Sequence, residues 1–188
     1  MSEPDSLYLR VHLSKQAYER YLASPGADAR DFSDWMEWLD KVQMHGPGFT
    51  PERIVEIGQK TAKCSPADGI AAWTSSGWAM GKSAYDEATE TWRFGILQFS
   101  ENYLECLGYL PPLRAVCQFK DRPGQDFMLV YNHFWSPGEY MALFEFTEGA
   151  SAFAGSSHMG VPLPKHYADE ASAFIDALHA ERSAELDD

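Results

Sequence analysis

The sequence predicts the α+β class: a single domain in which an antiparallel sheet is covered on one face by helices. Three observations lead there. Residues 113–147 read as a three-strand meander, because LRAVCQFK (113–120) alternates Leu113, Ala115, Cys117 and Phe119, and FMLVYNHF (127–134) and EYMALFEFT (139–147) are β-prone runs. Their connections, DRPGQD and WSPGE, each hold a Pro-Gly pair suited to the centre of a tight turn. Elsewhere apolar residues recur at helical spacing, and the 188 residues, 45% hydrophobic and 14% aromatic, suffice for one core but not comfortably for two.

The remaining elements follow in chain order. Leu7, Leu9, Val11 and Leu13 alternate with Tyr8, Arg10 and His12, the period of a half-buried strand. Ser14 offers an N-cap to a short helix with Ala17, Tyr18, Tyr21 and Leu22 on one face, ended by Pro25 and Gly26. A second helix spans Asp31 to Gln43, with Phe32, Trp35, Met36, Leu39 and Val42 forming the apolar stripe and HGPG (45–48) stopping it. Thr50, Pro51 and Glu52 open a third helix, reaching about Lys63, with a capping oxygen, a proline in the tolerated first position and an early acid.

Residues 65–88 are rich in Gly and Ser and read as loops and short pieces. Trp92, Phe94 and Ile96 suggest a strand, and Ser100 caps a short helix with Tyr103, Leu104 and Leu107 that Pro111 and Pro112 close. After the meander, a Gly/Ser/Pro-rich connector (149–164) leads to a last helix carrying Tyr167, Ala171, Phe174, Ile175 and Leu178. The domain spans 1–188, with fraying expected at about 1–5 and 183–188.

The formal charge is −13, from 28 acidic and 15 basic residues. Such a chain repels phosphate backbones and anionic membranes, which argues against direct nucleic-acid binding and is consistent with plain solubility or a basic partner. No stretch has the apolar length of a membrane span, so no membrane contact is expected. Cys64, Cys106 and Cys117 form no close pair, and MSEPDSLYLR has no leader pattern; the expected compartment is the reducing cytoplasm.

Catalytic and metal-binding patterns are weak. His12, His45, His133, His158, His166 and His179 include no pair at a familiar metal spacing, so neither metal nor cofactor is expected. FAGSSHMG (153–160) joins Gly, Ser and His, but Met159 stands where a nucleophile elbow needs its second Gly, and a flexible connector is the simpler reading. Cys106 and Cys117 read as small buried hydrophobes, and His133 as a core or edge histidine. The chain is not expected to be an enzyme.

Aromatic residues among acids are the more suggestive feature. With the apolar stripe of the second helix turned inward, Asp34 and Glu37 point outward, Asp31 lies on a flank, and Trp38 sits off the stripe. A tryptophan ringed by carboxylates serves either as a core plug or as an anchor for a cationic protein partner. Trp73 and Trp78, in AWTSSGWAMG (72–81), pose the same choice on a loop, where one of the two is expected to be core. Asp31, Asp34, Glu37, Trp38, Trp73 and Trp78 are therefore the candidate partner contacts.

In organisation, the Trp/Gly-rich middle AWTSSGWAMG, the aromatic run TWRFGILQFSENYLECLGYLPP and the segment FMLVYNHFWSPGEYMALFEF resemble bacterial polymorphic-toxin immunity proteins, most closely immunity protein family fifty-two. The likeness covers roughly residues 50–150. It implies a stoichiometric inhibitor without a reaction of its own, binding a toxin, a basic nuclease domain of restriction-endonuclease-like fold, in the cytoplasm of the producing cell. It transfers no set of functional residues. The alternative is a small enzyme or ligand-binding domain with an aromatic-lined pocket holding His133 or a carboxylate, and a scaffold without separable activity is a third reading.

Overall fold

In β1 (Asp5–His12) both alternating sets of side chains lead into apolar clusters, Leu7, Leu9 and Val11 on one face and Tyr8 on the other. A strand buried on both faces belongs in the middle of a sheet. The structure, a computed structural model, describes residues 4–41, 50–61, 64–100, 102–134, 136 and 138–186. With β2 (Gly81–Asp86), β3 (Thr91–Ser100), β4 (Asp126–Tyr131), β5 (Tyr140–Thr147) and β6 (Ala150–Gly155), β1 forms one open sheet of order β2-β3-β1-β4-β5-β6. Every neighbouring pair is antiparallel, and Leu9 faces Phe94 on one side and Met128 on the other.

The helices are α1 (Lys15–Leu22), α2 (Trp35–Lys41), α3 (Pro51–Thr61), α4 (Pro66–Ser75), α5 (Tyr103–Arg114) and α6 (Lys165–Leu186). Helices α1 to α5 contribute to the larger cluster, with Leu7, Trp92, Phe94, Val130 and Phe144 from the sheet. Helix α6 lays Tyr167, Ala171, Ile175 and Leu178 on Tyr8, Leu97, Phe127 and Leu129 of the opposite face. Helices thus cover both faces, correcting the one-sided arrangement expected from the sequence. The cause is visible in β4, whose six residues are all buried: a strand sequestered on both sides cannot leave one face to water.

The α+β class, the antiparallel sheet, the opening strand and the capped first helix stand as the sequence indicated. Ser14 Oγ accepts from Ala17 N at 3.2 Å, and Thr50 Oγ1 accepts from Arg53 N at 3.2 Å. The meander is displaced by one strand. Residues 113–120 are the end of α5 and a 3-10 turn (Ala115–Phe119), and the third strand is β6, inside the stretch expected to be a connector. Leu113 through Cys117 are buried without interruption, including Val116, so the apparent alternation marks a fully enclosed turn. Pro111 and Pro112 lie inside α5 rather than closing it.

Two further segments differ from expectation. Residues 65–88 contain α4 and β2, and the second helix begins at Trp35, after a 3-10 turn at Ala29–Asp31 that Asp28 and Asp31 cap reciprocally. Val42, Gln43 and the HGPG stop lie outside the described residues, as does Lys63 at the expected end of the third helix. Asp5 already belongs to β1, and α6 continues to Leu186, within the expected tail.

Arg114 ties these parts together from a fully buried position. Its Nη1 and Nη2 donate to Asp34 Oδ1 and Oδ2, both at 2.8 Å; Nε donates to Ser151 Oγ at 3.0 Å, and Nη2 also to Ser151 O at 2.8 Å. The guanidinium lies 4.2 to 4.5 Å from the ring centres of Phe32, Trp35 and Phe144. Burial pulls its pKa down, and the Asp34 carboxylate opposes that pull. Asp34 Oδ2 in turn accepts from Phe153 N at 2.8 Å. Ser151 and Phe153 are two apart on the edge strand β6, so the ion pair occupies a backbone acceptor and donor along that edge.

Replacing Asp34 by Ala leaves a buried guanidinium without its counter-ion. D34A is expected to lower unfolding free energy by about 3 kcal/mol, the lower end for such a pair because Asp34 retains 20% exposure. Urea denaturation followed by circular dichroism measures this; a loss below about 1 kcal/mol would show that the clamp is dispensable.

Candidate functional site

The segment AWTSSGWAMG straddles the end of α4, a turn and the start of β2. Ser65 caps α4 by accepting from Asp68 N at 3.2 Å, and Pro66 occupies the tolerated first turn. In its last turn Trp73 is half-buried, its ring 5.6 Å from Phe99 and 5.2 Å from Tyr109, the latter at 81°. Trp78 stands at the apex of the following turn with 62% of its surface exposed.

That turn is pinned from both sides. Ser76 Oγ accepts from Ala79 N at 3.1 Å and Ser76 O from Met80 N at 3.3 Å, while Gln98 N and Leu97 N of β3 donate to the carbonyls of Ala79 and Met80. Met80 adopts φ +51°, a left-handed conformation uncommon for a residue with a side chain. Trp78 is thus an exposed aromatic on a fixed support, which limits the entropy lost when it meets a partner.

Beside it, α4 and α5 enclose a cleft of about 450 Å³, walled by Pro66, Ile70, Trp73, Tyr109, Pro112 and Leu113. Gly69 and Gly108, one inside each helix, also line it. A glycine inside a helix costs roughly 0.5–1 kcal/mol relative to alanine. At Gly69 neither backbone nor packing demands it, since a Cβ built there meets nothing within 4 Å. Cys64, the one exposed cysteine of the three, also borders the cleft.

The six predicted contacts do not form one surface. Trp38 is fully buried, its Nε1 donating to Met141 O at 3.2 Å and its ring set among Trp35, Tyr103, Phe144 and Phe153, which corrects its assignment as a surface anchor. Because the helix starts at Trp35, its buried stripe is Trp35, Trp38 and Leu39, with Phe32 outside the helix. Asp34 is corrected likewise, since Arg114 and the backbone of β6 hold both its oxygens. Asp31 and Glu37 are exposed, Asp31 also accepting from Asp28 N at 2.9 Å. Trp38 and Asp34 meet β5 and β6 through Met141 and Phe153, whereas Trp78 adjoins β2 at the other end of the strand order.

Two polar clusters were not legible as groups in the sequence. Asp126, fully buried, accepts on Oδ1 from His12 N at 3.1 Å and faces His12 Nδ1 at 2.5 Å, while Lys120 Nζ donates to Oδ2 and to Arg122 O. Gly124 lies against the His12 ring. On the α6 side, His133 lies between Tyr131, whose hydroxyl is 3.2 Å from Nδ1, and Asp176, 3.1 Å from Nε2. His133 is therefore held in a surface-to-core chain and does not line the α4–α5 cleft.

In FAGSSHMG, Ser157 Oγ accepts from Tyr140 N at 2.7 Å, and Ser157–Met159 form a 3-10 turn after β6. Among the described residues no group of three or more His, Cys, Asp or Glu side chains is arranged to hold a metal, and no helix is long and apolar enough to cross a membrane. Comparisons with family models, with curated proteins and with solved structures return no match.

Burial raises the thiol pKa of both Cys106 and Cys117. Iodoacetamide is accordingly expected to modify Cys64 alone in the native protein and all three cysteines after denaturation, as read by peptide mass spectrometry. At Gly124 an added Cβ would stand 2.2 Å from His12 Nδ1. G124A is expected to displace the ring from Asp126 and to cost about 2 kcal/mol in thermal unfolding.

Proposed function

We propose that the protein is a stoichiometric inhibitor of the immunity type, which binds and neutralises a toxin, a basic nuclease domain, by protein–protein contact. The single observation that carries this reading is Trp78, a large aromatic held outward at the apex of a pinned turn. Of the tryptophans described, Trp35, Trp38 and Trp92 are core and Trp73 is half-buried. Rigid exposed tryptophans are the residues that most often dominate an interface energetically.

Charge supports the same reading. A net −13 attracts a basic domain over distances longer than any contact, speeding encounter and favouring partners whose own role is to bind phosphate. Asp31 and Glu37, exposed beside α2, add to that field without having to touch the partner. Neutralisation then needs no reaction, because a bound acidic protein that covers a nuclease groove excludes the nucleic acid sterically and electrostatically.

The test is a titration. A nuclease captured with the tagged protein from its source cells is expected to lose activity at a 1:1 ratio, with affinity falling as salt rises. W78A is expected to weaken inhibition at least about tenfold, while its unfolding free energy stays within about 0.5 kcal/mol of the parent. Inhibition unchanged in W78A would remove Trp78 as the anchor, and the absence of any nuclease whose activity the protein abolishes would overturn the reading.

A further inference from the structure

We propose that the cleft between α4 and α5 is a binding site for a small aromatic cation, a ring system of about two fused rings carrying an ammonium group. The inference stands apart from the inhibitor reading, since it concerns a concavity rather than the exposed turn beside it.

Size comes first. About 450 Å³ falls within the range of small-molecule sites, and the wall is predominantly apolar as such sites are. Trp73 and Tyr109 meet edge to face at 81°, giving the cleft a right-angled aromatic corner that presents a π-face to a flat guest. Tyr109 remains 44% exposed, so part of that corner is accessible to solvent.

The glycines supply an independent argument. Gly69 and Gly108 weaken the two helices that bound the cleft, and a side chain at Gly69 would project into open space. Neither backbone strain nor crowding within the chain accounts for glycine at Gly69. Gly69 lines the cleft, and glycine there adds no side chain to it.

Charge decides the class of guest. Asp68 is the only charged side chain among the described residues lining the cleft, and it pairs with no cation among the described residues. Its Oδ2 accepts from Ser65 Oγ at 2.8 Å, which orients the carboxylate at the rim. A carboxylate beside aromatic faces favours an ammonium group through direct attraction and through the ring quadrupoles, and the net charge of −13 disfavours anions. The contact available to the guest is therefore ring on ring, with its cation toward Asp68.

Cys64 makes the proposal measurable, because it borders the cleft and is the exposed cysteine of the three. The full chain is titrated with 1-naphthylmethylammonium, with uncharged 2-naphthol and with 1-naphthalenesulfonate, reading the rate of Cys64 alkylation by iodoacetamide and the heat of binding. The ammonium probe is expected to slow alkylation at least about fivefold at saturation and to bind about tenfold more tightly than the sulfonate. G69L, which fills the cleft without meeting any neighbour at its Cβ, is expected to fold as the parent does by circular dichroism and to lose both effects. D68N is expected to retain 2-naphthol binding and to lose the preference for the cation. No heat and no protection with either the ammonium or the uncharged probe would overturn the site. So would protection that persists in G69L, and sulfonate binding as tight as ammonium binding would overturn the ligand class.

Discussion

Everything on the β5–β6 side of the molecule depends on one buried cation. Moving a guanidinium out of water is expensive, and the cost is offset only where its donors are satisfied and its charge is balanced. Arg114 meets both conditions with the two oxygens of Asp34, the hydroxyl and carbonyl of Ser151, and three aromatic faces. Each partner comes from a different part of the chain: Arg114 from the end of α5, Asp34 from the approach to α2, Ser151 from β6. Fixing one side chain therefore fixes where α2 lies against the sheet, and with it the burial of Trp35 and Trp38.

The opposite face is held differently. Helix α6 covers Tyr8, Phe127 and Leu129 with an apolar stripe, but polar links also set its position: Tyr8 OH donates to Glu170 Oε1 at 2.8 Å, Arg10 Nη1 to Glu170 Oε2, and Lys82 Nζ to Glu181 Oε1 at 2.5 Å. Burial, and after it the hydrogen bond to Glu170, raise the pKa of the Tyr8 phenol, so it remains a donor at any physiological pH. One sheet thus separates a broad aromatic core from a narrow one closed by a single helix.

Legibility in the sequence followed physical locality. Strand β1 and helix α1 were readable because their signals, a two-residue alternation and the Ser14 cap, lie within the elements themselves. Helix α3 was readable from Thr50-Pro51-Glu52, yet Ser65-Pro66-Ala67-Asp68 is the same kind of start and opens α4; Gly69 and the Ser-rich end of that helix masked it. At 113–117 burial on all sides imitated alternation. Trp38 was misplaced because the stripe was phased from Phe32, and only the capped 3-10 turn before it delays the helix to Trp35. The Arg114–Asp34 pair joins residues 80 apart, and the α4–α5 cleft joins two helices separated by two strands, so neither existed as a local pattern. For Trp73 and Trp78 the sequence offered one core and one surface residue without saying which; Trp78 is the exposed one and Trp73 is half-buried, because Trp73 ends a helix packed on Phe99 and Tyr109 whereas Trp78 stands on a turn.

The place of β1 in the strand order also bears on how the molecule assembles. The strand nearest the N-terminus is central, flanked by β3 and β4, so its pairing in both directions waits on residues as far along as Tyr131. Tyr8 then finds its hydrogen-bond partner 162 residues later. Such long loops must close before these contacts contribute, a topology that slows folding. During synthesis the face later sealed by α6 stays open until residues 165–186 have followed the six strands, so the interval of greatest risk for aggregation is the one in which the sheet exists and its cover does not.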